Sequence, residues 1–298
     1  MNNVQPANLQ TFKLGLLGYP LSHSLSPQIH TAALGACALD GDYSLFPFSP
    51  DDQQGMKNLL TSLRTSELHG LNVTIPHKQT VIEFLDELTP TAQAIGAVNT
   101  IYMKDSKLIG DNTDAAGFLS DLSKFLPEST SPTGRGAGVR EKSAIILGAG
   151  GSARAVVYAL LHDGWKVTLA ARRIEQAQQL ADSFSNFQLR ITSITDLRLL
   201  TFDVLVNTTP LGMVPNTDQS PIPENLSLPS NVFVYDLVYN PRETKLVRDA
   251  HSQGLQATTG LGMLIEQAGL SFEIWTGHHP PRDVLWNAIE NISLVTGH

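Results

Sequence analysis

The chain's 298 residues are 42% hydrophobic and 16% charged, a balance typical of compact globular domains, about two at this length, and one that excludes a disordered chain. Its formal net charge of −8 points away from nucleic acid or an anionic membrane as partner, so an anionic ligand must be gripped by local positive groups.

Met1 to Phe12 is polar, with neither the basic start nor the apolar stretch of a secretory signal. No later run nears the roughly 18 apolar residues of a membrane span, so a cytoplasmic protein is expected. Lys13 to Gly18 reads as a short apolar strand. Ser26-Pro27 predicts a helix start, with a hydroxyl at the N-cap and proline at N1. Cys37, the single cysteine, follows in an alanine-rich segment as a packing residue and leaves no partner for an intrachain disulfide. Tyr43 to Phe48 reads as a second strand, and Met56, Leu59, Leu60 and Leu63 form the stripe of an amphipathic helix. Leu71 to Ile75 predicts a third strand, followed by a helix carrying Val81, Leu85 and Leu88 on one face. Ala97 to Met103 and Leu108 to Gly110 flank Lys104-Asp105-Ser106-Lys107 as a hairpin. Asp114 opens another helix, with Phe118, Leu122 and Phe125 at helical spacing. Pro127 to Lys142, rich in Ser, Thr, Pro and Gly, reads as a loop.

From Ser143 the alternation becomes regular. Strands at Ala144 to Leu147, Lys166 to Ala170, Gln188 to Ile191, Val204 to Asn207 and Val232 to Tyr235 are mostly separated by helical stretches. That order predicts a parallel, doubly wound sheet with right-handed crossovers. Beyond Gly260 the patterns are helical only and are expected to pack back onto the first domain. The expected fold class is therefore α/β: two α/β domains, the second a Rossmann-type doubly wound parallel sheet, with a cleft between them. The expected boundaries are 1–113 with 260–298 for a substrate-binding catalytic domain, and 114–259 for a nucleotide-binding one.

Chemistry concentrates at a few points. Lys78 ends the apolar run Gly70-Leu71-Asn72-Val73-Thr74-Ile75-Pro76-His77, where a lysine can be partly desolvated and can donate or accept a proton. Gly110-Asp111-Asn112-Thr113-Asp114 offers carboxylates that could pair with it. Gly148-Ala149-Gly150-Gly151-Ser152-Ala153 follows a strand and opens a helix, the context in which backbone N–H groups approach a pyrophosphate. Ala153 stands in for the usual third glycine. The next strand ends in Ala170-Ala171-Arg172-Arg173, with no carboxylate before Glu175 for a ribose 2′-hydroxyl. Two guanidiniums match a 2′-phosphate instead, which favours NADP over NAD. Ser22, Ser24 and Ser26 put hydroxyls at a helix N-terminus suited to a carboxylate. Gln267 is a polar residue in an otherwise apolar helix and should find a partner there, whereas Met263 and Trp275 fit ordinary packing. His278-His279 lacks a third ligand at useful spacing, so no metal site is expected. Lysine, carboxylate and nucleotide turn together suggest a dehydrogenase.

The segments Ser22 to Pro27, Asn72 to Lys78, Gly96-Ala97-Val98-Asn99-Thr100, Gly110 to Asp114 and Gly148 to Gly151 resemble those of the shikimate dehydrogenase family. So do Asn207-Thr208-Thr209-Pro210, Tyr235-Asp236 to Tyr239-Asn240-Pro241, and Gly260-Leu261-Gly262-Met263 to Gln267-Ala268, all in family order. The resemblance implies reversible NADPH-dependent reduction of 3-dehydroshikimate to shikimate, in aromatic amino acid (chorismate) biosynthesis. It implies Lys78 as acid/base with Asp114 as its partner. Ser24, Ser26 and Tyr239 would hold the substrate carboxylate, and Thr74, Asn99, Asp114 and Gln267 the ring hydroxyls. Gly148, Ala149, Gly150, Gly151 and Ser152 would take the pyrophosphate, Arg172 and Arg173 the 2′-phosphate, and Leu237 and Gly260 would lie near the nicotinamide. Where the family often shows Asn-Arg-Thr, this chain has Ala171-Arg172-Arg173, which removes an amide expected to contact the ribose or adenine. Two other readings are a quinate/shikimate dehydrogenase of broad specificity and a non-catalytic metabolite sensor, the latter disfavoured by the presence of both Lys78 and Asp114. The expected partners are the small-molecule substrate alone, with the chain a monomer or homodimer.

Overall fold

A computed structural model describes residues 11–127, 141–290 and 292; positions 128–140 of the expected loop lie outside them. The chain divides into two compact units, one of residues up to 113 with 267–292, the other of 114–266. Among the described residues no helix is long and apolar enough to cross a membrane.

The first unit opens with β1 (Phe12–Leu17), α1 (Ser26–Ala36), β2 (Gly41–Phe46), α2 (Gln53–Arg64) and β3 (Gly70–Val73). A single 3-10 turn (Thr80–Phe84) leads to β4 (Glu87–Leu88), α3 (Pro90–Ile95), β5 (Thr100–Lys104) and β6 (Lys107–Asp111). The six strands form one mixed sheet in the order β2-β1-β3-β5-β6-β4. β1 runs parallel to β2 and β3, and β5 runs antiparallel to β3 and β6. Helix α2 forms as its stripe predicts: the Asp52 side chain caps the Gly55 N–H at 2.8 Å, and Met56, Leu59, Leu60 and Leu63 are buried. Each of those burials contributes about 1.5–3 kcal/mol. In the hairpin, Asp105 and Ser106 both take positive φ (49° and 63°), the backbone a tight β5–β6 turn needs.

Two local expectations are corrected. Val81, Leu85 and Leu88 do not share a helix. Leu85 is extended (φ −97°, ψ 150°), and Leu88 lies in β4, which pairs with β6. Asp86 ends the turn by accepting the Leu108 N–H and the Arg64 guanidinium. The three side chains still meet one apolar cluster, which is why their spacing imitates a helix face. Ser26 is not an N-cap either. Leu25 takes that place without a side-chain bond, and the Ser26 N–H donates to Ser24 Oγ at 3.3 Å. Helix α3 went unforeseen although Thr89 caps it, Pro90 opens it and Gly96 closes it at φ 68°.

In the second unit, α4 (Asp114–Phe125) precedes β7 (Ser143–Leu147), α5 (Gly151–His162), β8 (Lys166–Ala170), α6 (Ile174–Asp182) and β9 (Arg190–Thr192). Then come β10 (Val204–Asn207), β11 (Phe233–Asp236), α7 (Lys245–Ser252) and β12 (Ala257–Thr259). All six strands are parallel, in the order β12-β11-β10-β7-β8-β9, the doubly wound arrangement whose switch point lies between β7 and β10. β12 was not expected from the sequence, since three residues carry too little pattern. Two helices remain, α8 (Leu261–Thr276) and α9 (Arg282–Glu290). The dividing line falls inside α8, at 266/267 rather than at 260. Glu266 pairs with Lys124 of α4, whereas Trp275 Nε1 donates to the Ile101 carbonyl of β5 at 3.1 Å.

His30, on the inner face of α1, is buried and stacks on Tyr43 at 4.4 Å between ring centroids. Neither ring nitrogen has a hydrogen-bond partner among the described residues. Burial lowers its pKa to about 3; the Asn72 amide opposes this without reaching hydrogen-bond geometry. The folded ring is therefore neutral while an unfolded one takes up a proton below about 6.5. Stability that is whole above that pH drains as pH falls toward 3. Thermal melts should show a shallower loss between pH 7 and 4.5 for His30→Phe than for wild type; parallel slopes would rule this out.

Candidate functional site

In the first unit the expected substrate-side residues follow β1 (Ser24 and Ser26) and β3 (Thr74 and Lys78) or immediately precede β5 (Asn99). β3 ends at Val73, whose N–H donates to the Asn99 carbonyl at 2.8 Å. The following turn is closed by His77 N–H to Thr74 O at 2.9 Å, with His77 Nε2 against the Phe48 carbonyl at 2.7 Å. This turn fixes where Lys78 leaves the sheet. Lys78 is half-buried, and its carbonyl accepts the Val98 N–H at 2.7 Å. Thr74 packs its methyl toward Gly18, where an added Cβ would lie 2.3 Å away. Ser24 is half-buried and Ser26 buried at the start of α1; Ser22 and His23 are exposed.

Asn99 is held on both ends of its carboxamide. Its Oδ1 accepts the Thr113 N–H at 2.8 Å and its Nδ2 donates to Thr113 Oγ1 at 2.9 Å and to Gln267 Oε1 at 3.2 Å. The polar residue that had to find a partner in α8 finds Asn99. Behind this pair lies a buried polar group that the sequence reading did not single out: Asn72, Thr100, Thr113 and Ser271. Asn72, a polar residue inside an apolar strand, was the available signal.

In the second unit Asp114 is the buried first residue of α4. The glycine turn has the form a pyrophosphate needs. Gly148 sits at φ 109°, where a Cβ would meet Thr208 Oγ1 at 2.8 Å. Gly150 has open space around it, α5 starts there with no side-chain cap, and Ala153 is wholly buried. The first amides of α5 are thus left to a ligand, and the donor set suits a dinucleotide. Arg172 and Arg173 are exposed just past β8, Arg173 being the residue before α6. Leu237 and Gly260 are brought together: a Cβ on Gly260 would stand 2.5 Å from the Leu237 carbonyl. Tyr239 is half-buried, and desolvation raises its phenol above the ordinary value.

A second buried network shapes these loops. Asp236 Oδ1 accepts Asn207 Nδ2 at 2.7 Å and the Val238 N–H, and its Oδ2 accepts Thr244 Oγ1 at 2.6 Å. Asn207 Oδ1 in turn accepts the Thr209 N–H and hydroxyl. Burial raises the Asp236 carboxyl to about 6 against the pull of its three donors. The motifs containing Asn207 and Asp236 were visible in the sequence, but their pairing across β10 and β11 was not. His278 and His279 bond locally, to Thr276 and Glu273. No group of three metal-ligating side chains occurs among the described residues.

Three family models match the chain: the shikimate dehydrogenase substrate binding domain over residues 16–101, shikimate / quinate 5-dehydrogenase over 134–245, and the shikimate 5'-dehydrogenase C-terminal domain over 260–290. The chain is 39% identical over 274 residues to the shikimate dehydrogenase (NADP(+)) of Shouchella clausii, which spans 91% of this chain and 95% of the relative. It is similar to a solved shikimate dehydrogenase in complex with NADP+, with a TM-score of 0.85 and 37% identity over 96% of both chains. The Thermus thermophilus shikimate 5-dehydrogenase, solved in complex with NADP(H) and shikimate, gives a TM-score of 0.81 at 35% identity, covering 94% of this chain and 98% of that one. With the glycine turn, the Asn99 cluster and these likenesses all running the length of the chain, it belongs to the shikimate dehydrogenase family.

Proposed function

We propose that the chain is an NADP-dependent oxidoreductase that reduces 3-dehydroshikimate to shikimate reversibly, with residues 1–113 and 267–292 holding the substrate and 114–266 the cofactor. NADPH, when bound, supplies the hydride. The carbonyl oxygen that becomes an alkoxide then needs a positioned proton, and Lys78 Nζ donates it. Asp114 holds the lysine and the same ring oxygen. In the reverse direction the pair accepts the proton from the substrate hydroxyl. Ser24 and Ser26, with Tyr239, hold the ring carboxylate. Thr74, Asn99 and Gln267 hold ring hydroxyls, an all-hydrogen-bonding site suited to a polyhydroxylated acid. Arg172 and Arg173 take the 2′-phosphate, and Leu237 and Gly260 flank the nicotinamide.

One observation carries the reading. Lys78 and Thr113, the residue before Asp114, come from segments far apart in sequence, yet both bond the Val98-Asn99 dipeptide. Val98 donates to the Lys78 carbonyl, and Thr113, the neighbour of Asp114, donates to Asn99 Oδ1. Initial rates with shikimate and quinate, each with NADP and NAD, test it: shikimate with NADP should give the highest kcat/KM. Quinate turnover of equal efficiency would assign the broad-specificity enzyme, and binding without turnover the sensor.

The two glycines of the cofactor turn should separate. Gly148→Ala forces a side chain into positive φ and against Thr208, a strain of about 1–3 kcal/mol, and should lower Tm by several degrees. Gly150→Ala meets nothing within 4 Å among the described residues and should leave Tm unchanged while raising the KM for NADP about tenfold, a loss of about 1.4 kcal/mol. Equal Tm values with unchanged NADP affinity in both would place the pyrophosphate elsewhere.

A further inference from the structure

We infer that Ser271, which the proposed chemistry does not use, is a positioning residue that sets the orientation of the two substrate-facing carboxamides, Asn99 and Gln267; this rests on the substrate role proposed for them. Ser271 lies one turn beyond Gln267 on α8, on the same face, and is fully buried. Its place along the helix is fixed one turn further on by Trp275. The Trp275 indole sits over Gly70, where a Cβ would stand 2.4 Å from the ring, and is bonded to the Ile101 carbonyl.

Four polar neighbours surround the Ser271 hydroxyl. Asn72 Nδ2 lies at 3.0 Å, Thr100 Oγ1 at 2.7 Å, Thr113 Oγ1 at 3.1 Å and the Gln267 carbonyl at 3.0 Å. Some of the bond directions are dictated by chemistry. Asn72 must donate through Nδ2, because that atom also faces the Asn99 carbonyl at 3.1 Å, which can only accept. Its Oδ1 is taken by the Tyr43 hydroxyl at 2.9 Å. Ser271 therefore accepts from Asn72 and has one proton to give.

Both threonines that touch Ser271 also hold Asn99. Thr100 Oγ1 lies 2.9 Å from Asn99 Oδ1, and Thr113 meets the amide through its N–H and its hydroxyl. Since a backbone N–H fixes Oδ1, Nδ2 is the atom turned toward Gln267 Oε1. Gln267 is thereby oriented with its Nε2 on the opposite side from Asn99. A chain of bonds thus runs from Tyr43 in the core through Asn72 and Ser271 to the threonines and then to the two carboxamides. Removing the Ser271 hydroxyl leaves Asn72 and both threonines to rearrange among themselves, and the Asn99 carboxamide tilts about its remaining bond to the Thr113 N–H.

The test is Ser271→Ala, Thr100→Val and their combination, assayed beside wild type. Wild type without shikimate turnover would refute the substrate assignment itself, separately from the role of Ser271. Given turnover, Ser271→Ala should raise the KM for shikimate about tenfold, the scale of a small misplacement of binding groups, and leave the KM for NADP within about twofold. Thr100→Val should behave alike, and the double variant should fall well short of the product of the two, because both act through one amide. An unchanged shikimate KM in Ser271→Ala, a parallel rise in both KM values, or a fully multiplicative double variant would each overturn the inference. If Ser271→Ala does not fold, Thr100→Val carries the same criterion.

Discussion

Lys78→Met should lower kcat for shikimate oxidation by about 10²–10⁴-fold, the usual worth of a positioned acid/base group, with kcat/KM falling in step. Methionine keeps the length and apolar stem of the side chain and removes only the group that moves the proton. The backbone bond from Val98 to the Lys78 carbonyl does not depend on the side chain, so the turn after β3 should persist and Tm should hold. Asp114→Asn should fall in a similar range, and the double variant should be little worse than either single one, because both groups serve a single proton. Initial rates at saturating NADP and shikimate measure this. A kcat within about threefold of wild type for Lys78→Met would remove the lysine from the chemistry.

The second large effect concerns the cofactor. Arg172→Ala with Arg173→Ala should reduce kcat/KM with NADP by about 10²-fold while kcat/KM with NAD changes by less than about threefold, since a hydrogen bond to a charged group contributes about 1.5–3 kcal/mol and these two are exposed. Exposure also implies screening, so the wild-type KM for NADP should rise with ionic strength and that for NAD should not. Retention of the NADP advantage in the double variant would move the 2′-phosphate off this loop. The absence of a carboxylate between Ala170 and Glu175 is consistent with NADP, because nothing there would repel the phosphate.

Much of the second unit was legible in the sequence because parallel strands buried on both faces read as unbroken apolar runs. Residues 144–147 within β7 and Val204–Asn207 fall where the pattern puts them. The first unit was harder. Val81, Leu85 and Leu88 line one apolar cluster from a 3-10 turn and an edge strand, and periodicity records only that they share a destination. Helix α3 is too short to show a period, although its caps were written in Thr89, Pro90 and Gly96.

The site divides in the same way. Glycine turns, arginine pairs and a lysine after a strand carry their chemistry in local order, so they can be read one at a time. Ser271 cannot, because a serine in an apolar helix acquires meaning only when Thr100 arrives from β5 and Thr113 from the segment after β6. Asp236 is similar. Its carboxyl is held by Asn207 from the neighbouring strand and by Thr244, the cap of α7, and no spacing rule joins the three.

The central claim is that an amine and a carboxylate distant in sequence serve a single substrate oxygen. A crystal structure with shikimate and NADP+ bound tests it most directly. Lys78 Nζ and a carboxylate oxygen of Asp114 should both lie within about 3.2 Å of the ring hydroxyl on the carbon that faces the nicotinamide. A shikimate hydroxyl at the nicotinamide with either side chain beyond reach of a hydrogen bond or one bridging water would contradict it.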